Sequence, residues 1–258
     1  MIEPERLLYG DDPSQFIDRY QPNTEPLGTI ISIHGGYWRA TYGLDLNAPL
    51  SLHLAHSGWT VINIEYRRIA PAQTTVEESC SGSDQRARAR VGVWDDMSSD
   101  VWTACGLATN GTRPIVAVGH SAGGQLALWA AAQHDLTIDA VIALAPITDL
   151  IACDELELSN GAAASLFGGS SAELPDAYRS ASPRHLLPLG VPQMLVHGTG
   201  DEDVPHSFAI GYIRDALRAH DDVSLVDPAD ISHLDLIDPT HDVWRTIDAQ
   251  LDLWVSEL

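Results

Sequence analysis

Gly119-His120-Ser121-Ala122-Gly123-Gly124 is the stretch that decides how this chain folds. It follows directly on the apolar run Ile115-Val116-Ala117-Val118 and opens the segment Ala122–His134, which is apolar nearly all round. A Gly-x-Ser-x-Gly pentapeptide alone recurs by chance, but here it joins a strand pattern to a helix pattern. A chain that turns sharply from strand to helix holds the serine in a strained conformation, and small neighbours keep that turn free of clashes. The turn lifts the hydroxyl out of the sheet and points a helix N-terminus at developing negative charge. The bland alternative is a glycine-rich helix entry with an uninvolved serine.

Outward from this point, short β-branched runs alternate with longer segments of helical period. That is the pattern of a mostly parallel sheet with helices on both faces. The runs Thr29–Ile33, Thr60–Ile64, Ile115–Val118, Val141–Leu144, Gln193–Val196 and Val223–Val226 are predicted strands. Leu46–His56, Asp95–Leu107, Ala122–His134, Ser207–Ala219 and Val243–Val255 are predicted helices. No repeat and no linker divides residues 1–258, so one α/β domain is expected. Two stretches fit the alternation poorly. Residues 70–93 have no clear period and read as a long surface excursion. Residues 149–192, rich in small residues and prolines, read as a solvated loop or as a cover over a site.

An activated serine needs a base, and the base needs a group that fixes its tautomer. The strand Gln193–Val196 runs into His197-Gly198-Thr199-Gly200-Asp201-Glu202-Asp203-Val204-Pro205, which places an acid on the same sheet rim as the serine. After the strand Val223–Val226 comes Ser232-His233-Leu234-Asp235. Serine, acid, histidine is the chain order of one class of hydrolytic triad. Asp201 and Asp203 both qualify as the acid, and Asp149 is a third position. His233 is preferred as base over His206, His220 and His241, which fall at or near helix ends. Upstream, Thr29–Ile33 ends in His34-Gly35-Gly36-Tyr37-Trp38, whose backbone can turn amides inward. The N–H groups of Gly36 and Tyr37, with that of Ala122, are the expected oxyanion donors. His34 is expected to brace its loop. Trp38 and Arg39 are candidate substrate contacts, with core packing and a surface ion pair as the respective alternatives. Arg67 and Arg68 are expected in structural ion pairs. His53 and His56 share a helix face at i, i+3 without a third ligand, so no metal site is expected.

Composition removes other chemistries. Acidic residues outnumber basic ones 36 to 14, for a net charge of −22, which disfavours nucleic acid and anionic lipid as partners. All 14 basic residues are arginine, so Schiff-base lysines, the Walker lysine and the Ser-x-x-Lys nucleophile are excluded. Cys80, Cys105 and Cys153 are an odd, widely spaced set and read as ordinary thiols of a reducing compartment. The polar start Met1-Ile2-Glu3-Pro4-Glu5-Arg6 lacks a secretory pattern, and a cytoplasmic location is expected.

On His34-Gly35-Gly36-Tyr37-Trp38, Glu65-Tyr66-Arg67-Arg68, Gly119–Gly124, His197-Gly198-x-x-Asp201-x-x-Val204-Pro205 and His233–Ile237, the chain resembles the α/β-hydrolase superfamily over nearly its whole length. Within it, the resemblance is to the group holding kynurenine formamidase and the hormone-sensitive-lipase-like esterases. The resemblance implies the α/β-hydrolase fold. It also implies that the acid is the aspartate four residues before the proline, Asp201. Residues 70–93 depart from the pattern by their length. The expectation is a serine hydrolase of small-molecule esters or aryl formamides, needing no cofactor, whose partner is its substrate; a homodimer is compatible with it. A non-catalytic binding protein of the same fold and a lyase using the same triad are the alternatives; a peptidase is disfavoured.

Overall fold

In a computed structural model the structure describes residues 2–70 and 92–258. The described chain forms one eight-stranded sheet: β1 (Glu5–Leu8), β2 (Phe16–Tyr20), β3 (Thr29–Ile33), β4 (Thr60–Ile64), β5 (Ile115–His120), β6 (Ala140–Leu144), β7 (Gln193–Val196) and β8 (Val223–Val226). Their spatial order is β1-β2-β4-β3-β5-β6-β7-β8, with β2 antiparallel to both of its neighbours and the other pairs parallel. The helices are α1 (Ala48–His56), α2 (Trp94–Gly106), α3 (Ala122–Ala131), α4 (Leu150–Glu155), α5 (Leu158–Phe167), α6 (Pro175–Ala181), α7 (Ser207–Arg218) and α8 (Trp244–Glu257).

The central strands read as continuous apolar runs because both faces are covered. In β5, Ile115 and Ala117 join the core under α2, α3 and α7, whereas Val116 and Val118 join the core under α1 and α8. β3 divides in the same way, Ile31 and Ile33 on one side and Ile30 on the other. The six expected strands are present, β5 running on to His120 and β6 starting at Ala140. The expected helices keep their places with shifted ends; α3 stops at Ala131, three residues early.

Two regions differ from the sequence reading. β1 and β2 lack the β-branched signature because they form a polar edge, tied by Arg6 to Asp18 (2.7 Å) and stacked by Arg6 over Phe16 (4.0 Å). Residues 149–192 are largely helical. Asp149 caps α4 by accepting from the Ala152 amide (3.1 Å), and Leu150, Cys153, Ala163, Leu166 and Tyr178 are buried in the core. The expected excursion at 70–93 lies, apart from its ends, outside the described residues.

Parallel strands deliver loops to one rim. The chain steps from β3 to β4 on one side and then to β5 on the other. The loops after β3 and β5 therefore diverge from a topological switch point, where α/β sheets bind ligands.

Candidate active site

Ser121 sits between β5 and α3 with φ 58° and ψ −120°, a conformation costly for a residue with a side chain. The elbow closes tightly on its neighbours. A Cβ at Gly123 would stand 2.1 Å from the Ile33 carbonyl oxygen, so only glycine fits where α3 starts against β3. The Ser121 hydroxyl is buried and meets no hydrogen-bond partner among the described residues.

The carboxylate and imidazole expected to serve it are brought together. His233 Nδ1 lies 2.7 Å from Asp201 Oδ2, and both side chains are almost wholly buried. The other carboxylate oxygen, Oδ1, accepts from the amides of Asp203 (2.9 Å) and Val204 (2.8 Å). Burial alone would raise the Asp201 pKa, but hydrogen bonds from His197 and His233 outweigh it and hold the carboxyl well below the usual carboxylate range. His233 Nε2 makes no hydrogen bond among the described residues, and the Ser121–His233 hydrogen bond is not closed in this structure. The two residues are linked through His120, which precedes Ser121 and packs its ring on that of His233 with centroids 4.4 Å apart.

Neither competing acid hydrogen-bonds His233. Asp203 is exposed, and its main-chain carbonyl accepts from the Tyr37 hydroxyl (2.5 Å). Asp149 is held by Arg184 (3.1 Å) at the start of α4. Two of the three competing histidines are also engaged elsewhere: His206 packs on His197, and His241 accepts from the Val243 amide. His53 pairs with Asp248 (3.1 Å) rather than with His56.

Sequence reasoning missed His197. This buried ring places Nε2 3.0 Å from the Val204 carbonyl and 3.3 Å from Asp201 Oδ2. Its place four residues before the acid, at the end of a strand, was the available signal.

The loop after β3 is rigidly built. His34 is fully buried, with Nδ1 2.8 Å from the Gly35 carbonyl and Nε2 3.0 Å from Glu65 Oε1. Gly36 (φ 107°), Tyr37 (φ 49°) and Trp38 (φ 57°) carry the left-handed turn that follows, closed by the Arg39 amide on the Gly36 carbonyl (3.0 Å). The amides of Gly36, Tyr37 and Ala122 meet no acceptor among the described residues; that of Ala122 is one of the unpaired first donors of α3.

Trp38 corrects the expectation of a substrate contact. It is fully buried and its indole N–H donates to Gln125 Oε1 (3.0 Å), which makes it core. Arg39 does line a cavity of about 470 Å³, together with Tyr37, Tyr42, Glu157, Ser159 and Asp203, while its guanidinium donates to the Ser159 carbonyl. Glu157, Ser159 and Asn160 on the cavity wall also have left-handed backbone. Of nine non-glycine residues with positive φ among those described, six lie in the elbow, the β3 loop and this wall, so backbone strain is concentrated here.

Arg67 and Arg68 form the expected ion pairs, with Asp100 (2.7 Å) and Glu65 (2.8 Å). Cys105 and Cys153 are free and buried, each thiol pushed up to about 12 by burial; Cys80 lies outside the described residues. Among the described residues, the group of metal-ligating side chains with converging donor atoms is Asp201, Asp203 and His233, within 4.8 Å of one another. The Asp201 oxygens and His233 Nδ1 are already spent on hydrogen bonds there. Among the described residues no helix is long and apolar enough to cross a membrane.

A sheet that delivers a strained serine, a histidine–carboxylate pair and unpaired amides to one rim defines a class of α/β proteins. The chain belongs to the α/β-hydrolase superfamily: the alpha/beta hydrolase fold family matches residues 28–165 and the prolyl oligopeptidase family matches residues 104–255. It is 28% identical over 249 residues to esterase LipC of Mycobacterium tuberculosis, an alignment covering 84% of this chain and 56% of that protein. The chain thus spans about half the length of this curated relative. Among solved structures it is similar to a truncated carbohydrate esterase from gut microbiota, with TM-score 0.75, 19% identity, and 97% of this chain and 95% of that one covered. It is likewise similar to esterase B from Lactobacillus rhamnosis with a tributyrin phosphonate, with TM-score 0.77, 18% identity, and 99% and 87% covered. At such identities the structural likeness is one of fold.

Proposed function

We propose that the protein is a serine hydrolase that cleaves a small-molecule carboxylic ester through an acyl-enzyme. The observation that carries this reading is the 2.7 Å contact of His233 Nδ1 with Asp201 on the rim that also presents Ser121. With Nδ1–H committed to the carboxylate, Nε2 is the nitrogen able to take the serine proton. Ser121 Oγ then attacks the carbonyl, and the amides of Gly36, Tyr37 and Ala122 stabilise the oxyanion. Collapse of the tetrahedral intermediate expels the alcohol, which leaves with the proton held by His233. Water, activated by the same nitrogen, then releases the acid and restores the serine. The esterase name of the curated relative supports the ester reading. A cavity of about 470 Å³ lies next to the site, lined by Tyr37 and Asp203 but not by Ser121 or His233, and is of a size to take part of a small substrate.

Turnover of p-nitrophenyl acetate tests this directly. Ser121→Ala is expected to lose on the order of 10⁶-fold in kcat with the fold intact, and a fluorophosphonate is expected to label Ser121 alone. Full activity in that variant, or labelling at another residue, removes the assignment.

An aryl formamide is the second substrate class, favoured by the form of His34-Gly35-Gly36-Tyr37-Trp38 and His233–Ile237. N-formylkynurenine assayed beside p-nitrophenyl esters of increasing chain length decides between the two. A tenfold preference corresponds to about 1.4 kcal/mol in transition-state binding. The ester is expected to be preferred, and a tenfold preference for the formamide reverses that order.

A further inference from the structure

The mechanism above leaves one buried titratable group at the site unused. His120 ends β5, is 3% exposed, and places its Nε2 3.0 Å from the main-chain carbonyl of His233. A carbonyl oxygen only accepts, so Nε2 carries the proton and Nδ1 is a bare lone pair. Nδ1 is buried without a partner among the described residues, and a Cβ built at Gly35 would stand 3.1 Å from it. That nitrogen therefore looks onto the backbone of the β3 loop, where a second proton would meet no acceptor.

We propose that His120 is a positioning residue that sets the spacing between nucleophile and base, its Nε2–H holding the main chain of His233 and its ring seating the His233 imidazole. The inference rests on the serine-hydrolase reading. One hydrogen bond from His233 Nδ1–H to Asp201 fixes where the imidazole is held on one side, but it does not fix how far the loop after β8 stands from the elbow after β5. His120 does, because it is covalently joined to Ser121 and hydrogen-bonded to His233. Displacement of a reacting group by about 1 Å can cost 10²-fold in rate, which is the scale of what such a tie protects.

His120 also stays neutral while its neighbour titrates. The titratable groups facing it are His233, its ring tilted at 4.4 Å with planes 48° apart, with Asp201 and His197 beyond. Burial lowers its pKa first and the positive form of His233 lowers it further. The hydrogen bond to the His233 carbonyl and the Asp201 charge oppose them, leaving it pushed down to about 3. Two imidazoles in contact therefore divide the work: His233 moves protons, and His120 keeps its single N–H as a fixed strut.

The test uses two variants and one spectrum on the whole protein. His120→Phe keeps an aromatic ring and removes the N–H; His120→Gln keeps an N–H at similar reach. The expected result with p-nitrophenyl acetate is a kcat loss between tenfold and a hundredfold in His120→Phe with KM near that of the unmodified protein. In His120→Gln, kcat is expected to recover to within about threefold. Ring ¹⁵N NMR of the unmodified protein is expected to show His120 as the Nε2–H tautomer, unchanged from pH 5 to 9. Loss of less than twofold in His120→Phe, equal losses in both variants, or an Nδ1–H tautomer overturns the proposal. Absence of turnover in the unmodified protein would instead overturn the hydrolase reading, and the spectrum still decides whether the strut exists.

Discussion

Two buried histidine–carboxylate pairs stand at the same rim of the sheet and differ in what they leave free. In one, His34 Nε2 meets Glu65 at 3.0 Å while Nδ1 meets the Gly35 carbonyl, so both ring nitrogens face oxygen acceptors. Glu65 is saturated too, taking the Tyr66 amide (3.0 Å), the Leu44 amide (3.1 Å) and Arg68 (2.8 Å). In the other pair, His233 gives Nδ1 to Asp201 and makes no further ring hydrogen bond among the described residues. The chemistry of the partners is the same. A second acceptor turns one histidine into a bracket for the β3 loop, and its absence leaves the other able to accept a proton. What marks a histidine as a base is therefore its unspent nitrogen, not its carboxylate.

The contrast is broken most severely at Asp201. Asp201→Asn is expected to cut kcat about 10⁴-fold, because an amide no longer fixes the tautomer that presents Nε2 to the serine. Melting should move less than it does for the Glu65 variant. A loss under tenfold would mean that the 2.7 Å contact does not orient the base.

Glu65→Gln should show the converse balance, with stability as the first casualty. Removing one partner of a buried charge pair costs about 3–5 kcal/mol, which is roughly 6–20 °C in Tm for a protein of this size. An unchanged melting temperature would show that the pair is not structural. The smallest effect is in pH dependence. Burial raises the Glu65 pKa, but hydrogen bonding and charge from His34, followed by Arg68, leave it below its ordinary value. A depressed carboxyl stabilises the fold above its unfolded pKa and loses that contribution as pH falls through the folded one. Urea midpoints should therefore decline below about pH 4.5. Asp201 shares that sign, so in Glu65→Gln the decline should be shallower but not abolished. An identical slope in the variant would remove Glu65 from the account.

Much of this architecture could be read before any coordinates because the central strands are covered on both faces. Continuous apolar runs such as Ile115–Val118 leave little ambiguity, and each short run ends in a loop of distinctive chemistry. Strands β1 and β2 gave no such signal. Glu5–Leu8 is mostly exposed, and ion pairs rather than apolar alternation hold it to its neighbour. The loop alternative for residues 149–192 fails because small residues suit a tight helical layer as well as a loop. The Asp149 cap and Pro175 in the first turn of α6 were the clues to the helices.

Within the site, chain order and loop position drew attention to Ser121, Asp201 and His233, but side-chain direction was not legible. Trp38 shares a left-handed loop with Tyr37, yet its ring enters the core while the Tyr37 ring lines the cavity. The tie of His120 to His233 joins residues from loops that sequence spacing alone does not bring together.

The contact between Arg39 and the Ser159 carbonyl has a consequence for any effort to retune selectivity. It couples the segment carrying the Gly36 and Tyr37 amides to the strained wall formed by Glu157, Ser159 and Asn160. Redesigning that wall for a bulkier guest would also disturb the bracing of the amides proposed as oxyanion donors. Changes in guest preference and in turnover should therefore be inherited together, and a library that varies residues 157–160 should vary Arg39 alongside them.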